Sequence, residues 1–386
     1  MREAQQRFLS RLLFKELQKQ SPQILQDAEY LQTHPELAFD ETHTSDYIFQ
    51  AFCDAGLNPR RVAKTAVYAD VGMQEPRFGL IADMDAMEVA GSVLHACGHH
   101  AQLTHLLGVM RVLATVQPES FHFGIRMIAA PAEELGFSLQ RELSMMEGLV
   151  SSRSGKKCLD EAQVFQPLQT LICCHLADNL PSRTMVMGYQ TNGCAVITLH
   201  IADTAGGGIF RLSQQIIRII EKEARTFQHA HGKGMRECNV RFDLSGLSSG
   251  VMVLFVLGNH PSDFPCVMEV AEYIPQLLAE HFGNHLLTVL DLCDAYAPLK
   301  QNRELERMVM RHAEAVGFKI KSRQQHMDGY TDLGFLSNRL AVCQPLIGGT
   351  QGMTHTRDFR VVDLETAYLL PIRLLLDVIV DYFLNK

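Results

Sequence analysis

The chain has no concentration of positive charge: no run of Lys or Arg is longer than a pair such as Lys156-Lys157, and Asp and Glu outnumber Lys and Arg by 43 to 35. With a net charge of −8, nucleic acid and anionic membrane surfaces are poor partners, because both are held by clustered cations. A small molecule is the expected partner. Nor is there an uninterrupted apolar run of membrane-spanning length. The Leu-rich stretch from Asp363 to Lys386 carries Glu365, Arg373, Asp377 and Asp381 at helical spacing, so it reads as a packed amphipathic helix. The opening residues MREAQQRFLSRLLFKELQ alternate charge with Leu and Phe, unlike the apolar core of a secretory signal. Ten cysteines lie scattered along the chain without the dense framework of a secreted domain. A reducing, cytoplasmic setting is therefore expected.

What the chain does have is length and apolar content. Its 386 residues exceed the roughly 250–300 at which a single core stops growing, so two domains are expected. Apolar runs suited to buried strands occur at Phe78 to Ala82, Phe121 to Ala130 and Leu171 to Cys174, each followed by small or polar residues. Leu103, Leu106, Leu107, Met110, Leu113 and Val116 give one apolar helix face between the first two runs. From Gly193 the rhythm changes. Strands are expected at Cys194 to Ile201, Cys238 to Leu244, Val251 to Leu257 and His285 to Asp291, with helices at Ile209 to Ala224 and Cys266 to Phe282. This βαββαβ order is that of a ferredoxin-like unit. The helix-strand pattern resumes at Pro298, with Glu304 to Val316 helical, so the first domain is expected to be discontinuous, over 1–190 and 298–386, around an insertion at 191–297.

Chemistry concentrates at the ends of the apolar runs. Cys97 and His99 are two apart, with Gly98 between them permitting a tight bend, which is the start of a metal-binding loop. Distant residues must complete it. In open α/β sheets, sites form beyond the carboxyl ends of strands, where Asp83, Asp85, Glu133, Glu134 and His175 would meet. A helix beginning after the loop would favour an anionic thiolate at Cys97. Each of these residues also has a structural reading, as a buried thiol or a solvated loop. His229 and His231 form an H-x-H pair that reads as a solvated loop, since no further ligand lies near it in sequence.

The segments DMDA (Asp83 to Ala86), HACGH (His95 to His99), PAEE (Pro131 to Glu134) and THTRDF (Thr354 to Phe359), together with His175, resemble the M20 metallopeptidase and amidohydrolase family. The likeness is to its aminoacylase-like branch with Cys in the metal loop. HPELAFDETHTS (His34 to Ser45) and TDLGFLSNRL (Thr331 to Leu340) are similar to that family's framework. The resemblance implies a mixed-sheet α/β catalytic domain of zinc-peptidase type carrying an inserted ferredoxin-like lid that also pairs two chains into a homodimer. It implies two divalent metal ions, Zn or Mn first and Co or Ni next, with Cys97 bridging and His99, Glu134, His175 and His355 completing the ligand set. Glu133 would be the general base and Asp85 would orient a ligand histidine. The implied reaction is hydrolysis, by metal-activated water, of the amide bond of N-acyl amino acids. The alternatives are a di- or aminopeptidase using the same site, and a metal-binding descendant without activity. Two departures from the family pattern stand out: His100 replaces an Asp beside the metal loop, and Ala205-Gly206-Gly207-Gly208-Ile209 lacks the lid histidine that stabilises an oxyanion. His260 is one substitute for it.

Overall fold

Phe78–Asp83 is buried along its whole length and lies inside a six-stranded sheet. A strand covered on both faces has no polar side to alternate with, which is why its sequence is a continuous apolar run. The computed structural model describes residues 2–116, 121–201, 208–230, 238–282, 287–322 and 326–385. The order across the sheet is Arg60–Val62, Ala66–Gly72, Gly124–Ala130, Phe78–Asp83, Thr170–Ile172 and Ala341–Cys343. The first three strands pair antiparallel and the last four parallel, making the sheet mixed. A second sheet joins Lys319–Ser322, Thr184–Met187, Leu346–Ile347 and His175–Leu176.

One face of the main sheet is covered by three helices, Arg2–Thr33, His99–Thr115 and Leu370–Asn385, which pack on one another. Leu9, Leu13, Leu17, Ile24 and Ala28 of the first enter the same core as Leu103, Leu107 and Val112 of the second and Leu374 and Val378 of the third. The other face is covered by Leu159, Val164, Phe165, Leu333 and Leu336. Among the described residues, no helix is long and apolar enough to cross a membrane.

Two strand expectations differ from the structure for identifiable reasons. Phe121 and Phe123 precede the strand, which begins at Gly124. Their rings stack at 5.0 Å and both abut Phe383, so this apolar stretch reflects aromatic packing instead of sheet pairing. The run at Leu171 to Cys174 leaves the main sheet after Ile172. The chain then enters the second sheet at His175, pairing with Leu346.

From Cys194 to Tyr296 a separate antiparallel sheet forms, ordered Asn239–Asp243, Val251–Leu257, Cys194–Ile201, Leu287–Tyr296. Its helices are Gly208–Ala230 and Phe264–Phe282. The crossovers give the ferredoxin-like βαββαβ topology. Ala195, Ile197 and Leu199 face these helices, while Cys194 and Val196 pack on Leu135 and Phe137 from the main body. Residues 205–207 of the glycine-rich turn and His231 lie outside the described residues. Where the chain returns, Gly334 approaches so closely that a Cβ there would lie 1.6 Å from the Ala297 carbonyl oxygen.

Gly334→Ala is expected to lower unfolding free energy by about 1–3 kcal/mol through this overpacking, measurable by urea unfolding. On the C-terminal helix, Asp381 accepts hydrogen bonds from His312 Nε2 (2.9 Å) and Arg311. Burial raises its pKa, but these two cations outweigh it and the carboxyl sits below its ordinary value. The stability it supplies is present above the unfolded-state carboxyl pKa of about 4 and is lost as pH falls through the lower folded value. Asp381→Asn should therefore flatten the acid limb of a stability-against-pH curve below about pH 4.

Candidate metal centre

Three loops with left-handed backbone meet beyond the carboxyl ends of the main strands. Gly98 (φ 91°) caps the helix His99–Thr115, so the helix begins inside the cysteine motif and not after it. A side chain at Gly98 would meet Leu176 at 3.0 Å, so both conformation and space call for glycine. Ala132 (φ 55°) and His355 (φ 64°) adopt the same region without being glycine, at a cost that neighbouring contacts must offset. The Ala132 N–H donates to Glu41 Oε1 at 3.0 Å, and the Ala132 carbonyl accepts from Gly155 N at 3.3 Å. His355 N donates to the Ala96 carbonyl at 2.9 Å, tying its loop to the cysteine loop.

These bends bring together the side chains singled out in the sequence. Cys97 Sγ lies 3.4 Å from His355 Nε2 and 3.5 Å from His175 Nε2. His99 Nε2 is 3.9 Å from both Glu133 Oε2 and Glu134 Oε1, and His355 Nε2 is 3.7 Å from Glu134 Oε1. Three sets have ligand atoms within 4.8 Å of one another: Cys97, His99 and His175; Cys97, Glu134 and His355; and His99, Glu133 and Glu134. The Cys97 sulfur is common to two of them.

Asp85 sits at 0% exposure and holds this arrangement in two ways. Its carboxylate accepts the backbone N–H groups of Glu133 (3.1 Å) and Glu134 (2.9 Å). Its carbonyl accepts from His99 Nδ1 at 2.7 Å, while its carboxylate is 3.5 Å from that nitrogen. The histidine is thus oriented chiefly by the Asp85 backbone, and the side chain acts mainly on the adjacent glutamates. The Nδ1 contact turns His99 Nε2 toward the centre, where it and Glu134 Oε1 are both buried without a hydrogen-bond partner.

The electrostatics are dominated by burial. Burial and then Glu134 push the Cys97 thiol well above its ordinary pKa, against the pull of the helix N-terminus toward a thiolate. Burial likewise raises Glu133, opposed by Lys156 and reinforced by Glu134. His175 is pushed down to about 4 by burial and His99, leaving a neutral ring able to act as a ligand. A cation among these atoms would reverse the penalty on the sulfur and carboxylates. The set of sulfur, imidazole and carboxylate donors fits a borderline divalent ion.

His100 follows His99 in the first turn of the helix. It is buried, with Nε2 3.1 Å from the Tyr368 hydroxyl, so it faces the C-terminal helix region, and burial keeps its pKa well down. His260 Nδ1 accepts from Ser262 N at 3.2 Å and caps the turn that follows. Sequence reasoning missed Gln102, noted Lys156 only as half of a basic pair, and passed over Glu41 inside the HPELAFDETHTS segment. It passed over Asp332 inside the recognised TDLGFLSNRL segment. Asp83, read as either structural or supporting, has its N–H bonded to Gln102 Oε1 at 3.0 Å and its carboxylate paired with Lys156.

N-acetyl-L-cysteine deacetylase of Bacillus subtilis is 31% identical over 128 residues, 30% of this chain and 30% of that protein. IAA-amino acid hydrolase ILR1-like 6 of Arabidopsis thaliana is 34% identical over 215 residues, 50% of this chain and 42% of that protein. These matches span less than half of either relative. The solved structure of the Bacillus subtilis YxeP protein, a dinuclear metal binding peptidase from the M20 family, superposes with a TM-score of 0.61 at 16% identity, covering 94% of this chain and 98% of that one. The fold is therefore shared along nearly the whole chain. The family pattern itself matches residues 79–379, a span that holds the cysteine loop, the paired glutamates, His175 and His355, and the chain belongs to peptidase family M20/M25/M40.

Proposed function

We propose that this protein is a metal-dependent amidohydrolase that cleaves the linear amide bond of N-acyl amino acids or similar small amides. The observation that carries the reading is the Cys97 sulfur shared between two ligand sets, with Glu133 beside Glu134 at their edge. The family membership and the relatives named for deacetylation and amino-acid conjugate hydrolysis support it. Two divalent ions, Zn²⁺ or Mn²⁺ by donor type, would be held by Cys97, His99 and His175 on one side and Cys97, Glu134 and His355 on the other. When bound, such ions supply Lewis acidity, polarising an amide carbonyl and making water more acidic.

The residues then divide the work. Glu134 is committed as a ligand, and Asp85 holds both glutamate N–H groups, leaving the Glu133 carboxylate free beside it. Glu133, raised in pKa by burial, takes a proton on its carboxylate from the water that attacks the amide carbon. As the C–N bond breaks, Glu133 returns that proton to the leaving amine, giving a carboxylate and an amine. We assign residues 1–190 and 298–386 to the catalytic body and 191–297 to a lid that closes over substrate and pairs two chains. A reducing compartment suits a centre that depends on an unoxidised sulfur, and none of the nine cysteines described is in a disulfide.

Purified protein is expected to carry about two divalent ions per chain by elemental analysis, and their complete absence after gentle purification would reject the centre. Glu133→Gln should keep both ions while hydrolysis falls by roughly 10²–10⁴-fold; an unchanged rate would reject the base. A panel of N-acetyl, N-benzoyl and longer acyl amino acids, assayed with added Zn²⁺, Mn²⁺ or Co²⁺, tests the substrate class. Failure across the panel with ions bound would favour a metal-binding protein without activity.

A further inference from the structure

Lys156 is at 0% exposure, an unusual place for a strongly hydrated ammonium unless its charge is matched. Its Nζ donates to Asp83 Oδ1 and, at 2.5 Å, to Asp332 Oδ1. Asp332 is completed by Ser154 Oγ, which donates to Oδ2 at 2.7 Å. Each partner comes from a different part of the chain. Asp83 ends the central strand opposite Ala130, the residue before the carboxylate loop Pro131–Glu134. Asp332 lies on the return from the βαββαβ unit, two residues after Tyr330, whose hydroxyl donates to the Gly258 carbonyl at 3.1 Å.

Lys156 is also joined to the carboxylate loop through its own backbone. The preceding residue, Gly155, donates to the Ala132 carbonyl, and a Cβ on it would fall 1.8 Å from the Pro131 carbonyl oxygen. The first turn of the helix Gly155–Glu161 thus rests against the left-handed bend that aims Glu133 and Glu134. On the far side of that bend, Met84 N donates to the Ala130 carbonyl at 2.8 Å, and Asp85 holds the two glutamate N–H groups. The bend is clamped from two sides, and Lys156 connects them.

We propose that Lys156 is a positioning residue for the metal centre: by tying Asp83 to Asp332 while its helix seats on Pro131-Ala132, it fixes the direction of the Glu133 and Glu134 side chains. The proposal rests on the amidohydrolase reading only for its kinetic consequence. A supporting residue that acts on ligands through others typically alters metal affinity or turnover by about 10–100-fold. Removing the cation alone leaves two buried carboxylates unmatched, so Lys156→Met carries a risk of misfolding. Lys156→Arg keeps the charge with a different donor geometry, and the double variant K156M/D332N removes an opposite pair together.

The test uses full-length protein stripped of metal and titrated with Co²⁺, followed by visible absorption, alongside thermal unfolding and steady-state hydrolysis of an N-acyl amino acid. In Lys156→Arg and K156M/D332N, Co²⁺ affinity is expected to fall about 10–100-fold with an altered absorption band. Turnover should fall by a similar factor while KM stays within about threefold, and secondary structure should be retained. Parental Co²⁺ affinity and band shape in a folded variant would overturn the proposal, even if its melting temperature were lower, because that result describes a purely structural ion cluster. If the parent protein hydrolyses none of the substrates, the amidohydrolase reading fails while the Co²⁺ titration still decides the role of Lys156.

Discussion

Everything around the candidate centre follows from gathering acceptor atoms in a buried crevice. Asp83, Asp85, Glu41, Glu134 and Cys97 are all at or below 9% exposure, where an unmatched charge costs several kcal/mol. The fold answers most of these groups from within. Asp85 receives two backbone N–H groups, and Asp83 shares the Lys156 ammonium with Asp332. Glu41 receives Ala132 N and the Thr65 hydroxyl, yet burial and Asp85 still push its pKa up to about 8. Among the buried polar atoms without a hydrogen-bond partner are His99 Nε2 and Glu134 Oε1. Both lie in the cluster formed with Cys97, His175 and His355, where a cation would match them.

The same constraint explains where backbone strain is tolerated. Ala132 and His355 hold left-handed conformations that glycine adopts most readily, Ala132 one residue before the paired glutamates and His355 as a candidate ligand itself. Glycine at either position would relieve the strain but add freedom to the unfolded chain and slack to the loop. At Ala132 the bend is instead fixed by hydrogen bonds to both sides of its peptide, and at His355 by the bond to Ala96. Direction of the ligands is thereby set by backbone contacts with long sequence separations, 91 residues in the case of Glu41 and Ala132.

Such contacts mark the boundary of what the sequence discloses. The apolar run at Phe78, the helix at Leu103 and the strand at Val251 were readable because local periodicity and burial coincide there. Asp85, Cys97, His99, Glu133, Glu134 and His355 stood out because each lies in a short motif, and His175 because it follows an apolar run. Lys156 was not, since in sequence it is only half of a basic pair, and its burial depends on Asp83 and Asp332 at separations of 73 and 176 residues. Asp332 lay within a recognised segment, but nothing local says that an Asp before Leu-Gly-Phe turns inward. At Cys97 the helix end is visible in the sequence, whereas the surrounding desolvation and Glu134 are not.

The stretch between Glu134 and His175 links this centre to the βαββαβ unit. Arg141, at 0% exposure, donates to the Glu134 carbonyl at 2.5 Å and to the Gly136 carbonyl at 3.1 Å. One turn away, Phe137 N donates to Asp243 Oδ2 at 3.0 Å, and its ring occupies the space a side chain at Gly246 would need. Arg153 bridges Glu142 and, at 2.6 Å, Thr198 on the sheet of the inserted unit. A displacement of that sheet from the body must either break these buried polar contacts or carry the segment with it. Since the segment begins at the residue after Glu134, these contacts tie the inserted unit to the loop that carries the paired glutamates.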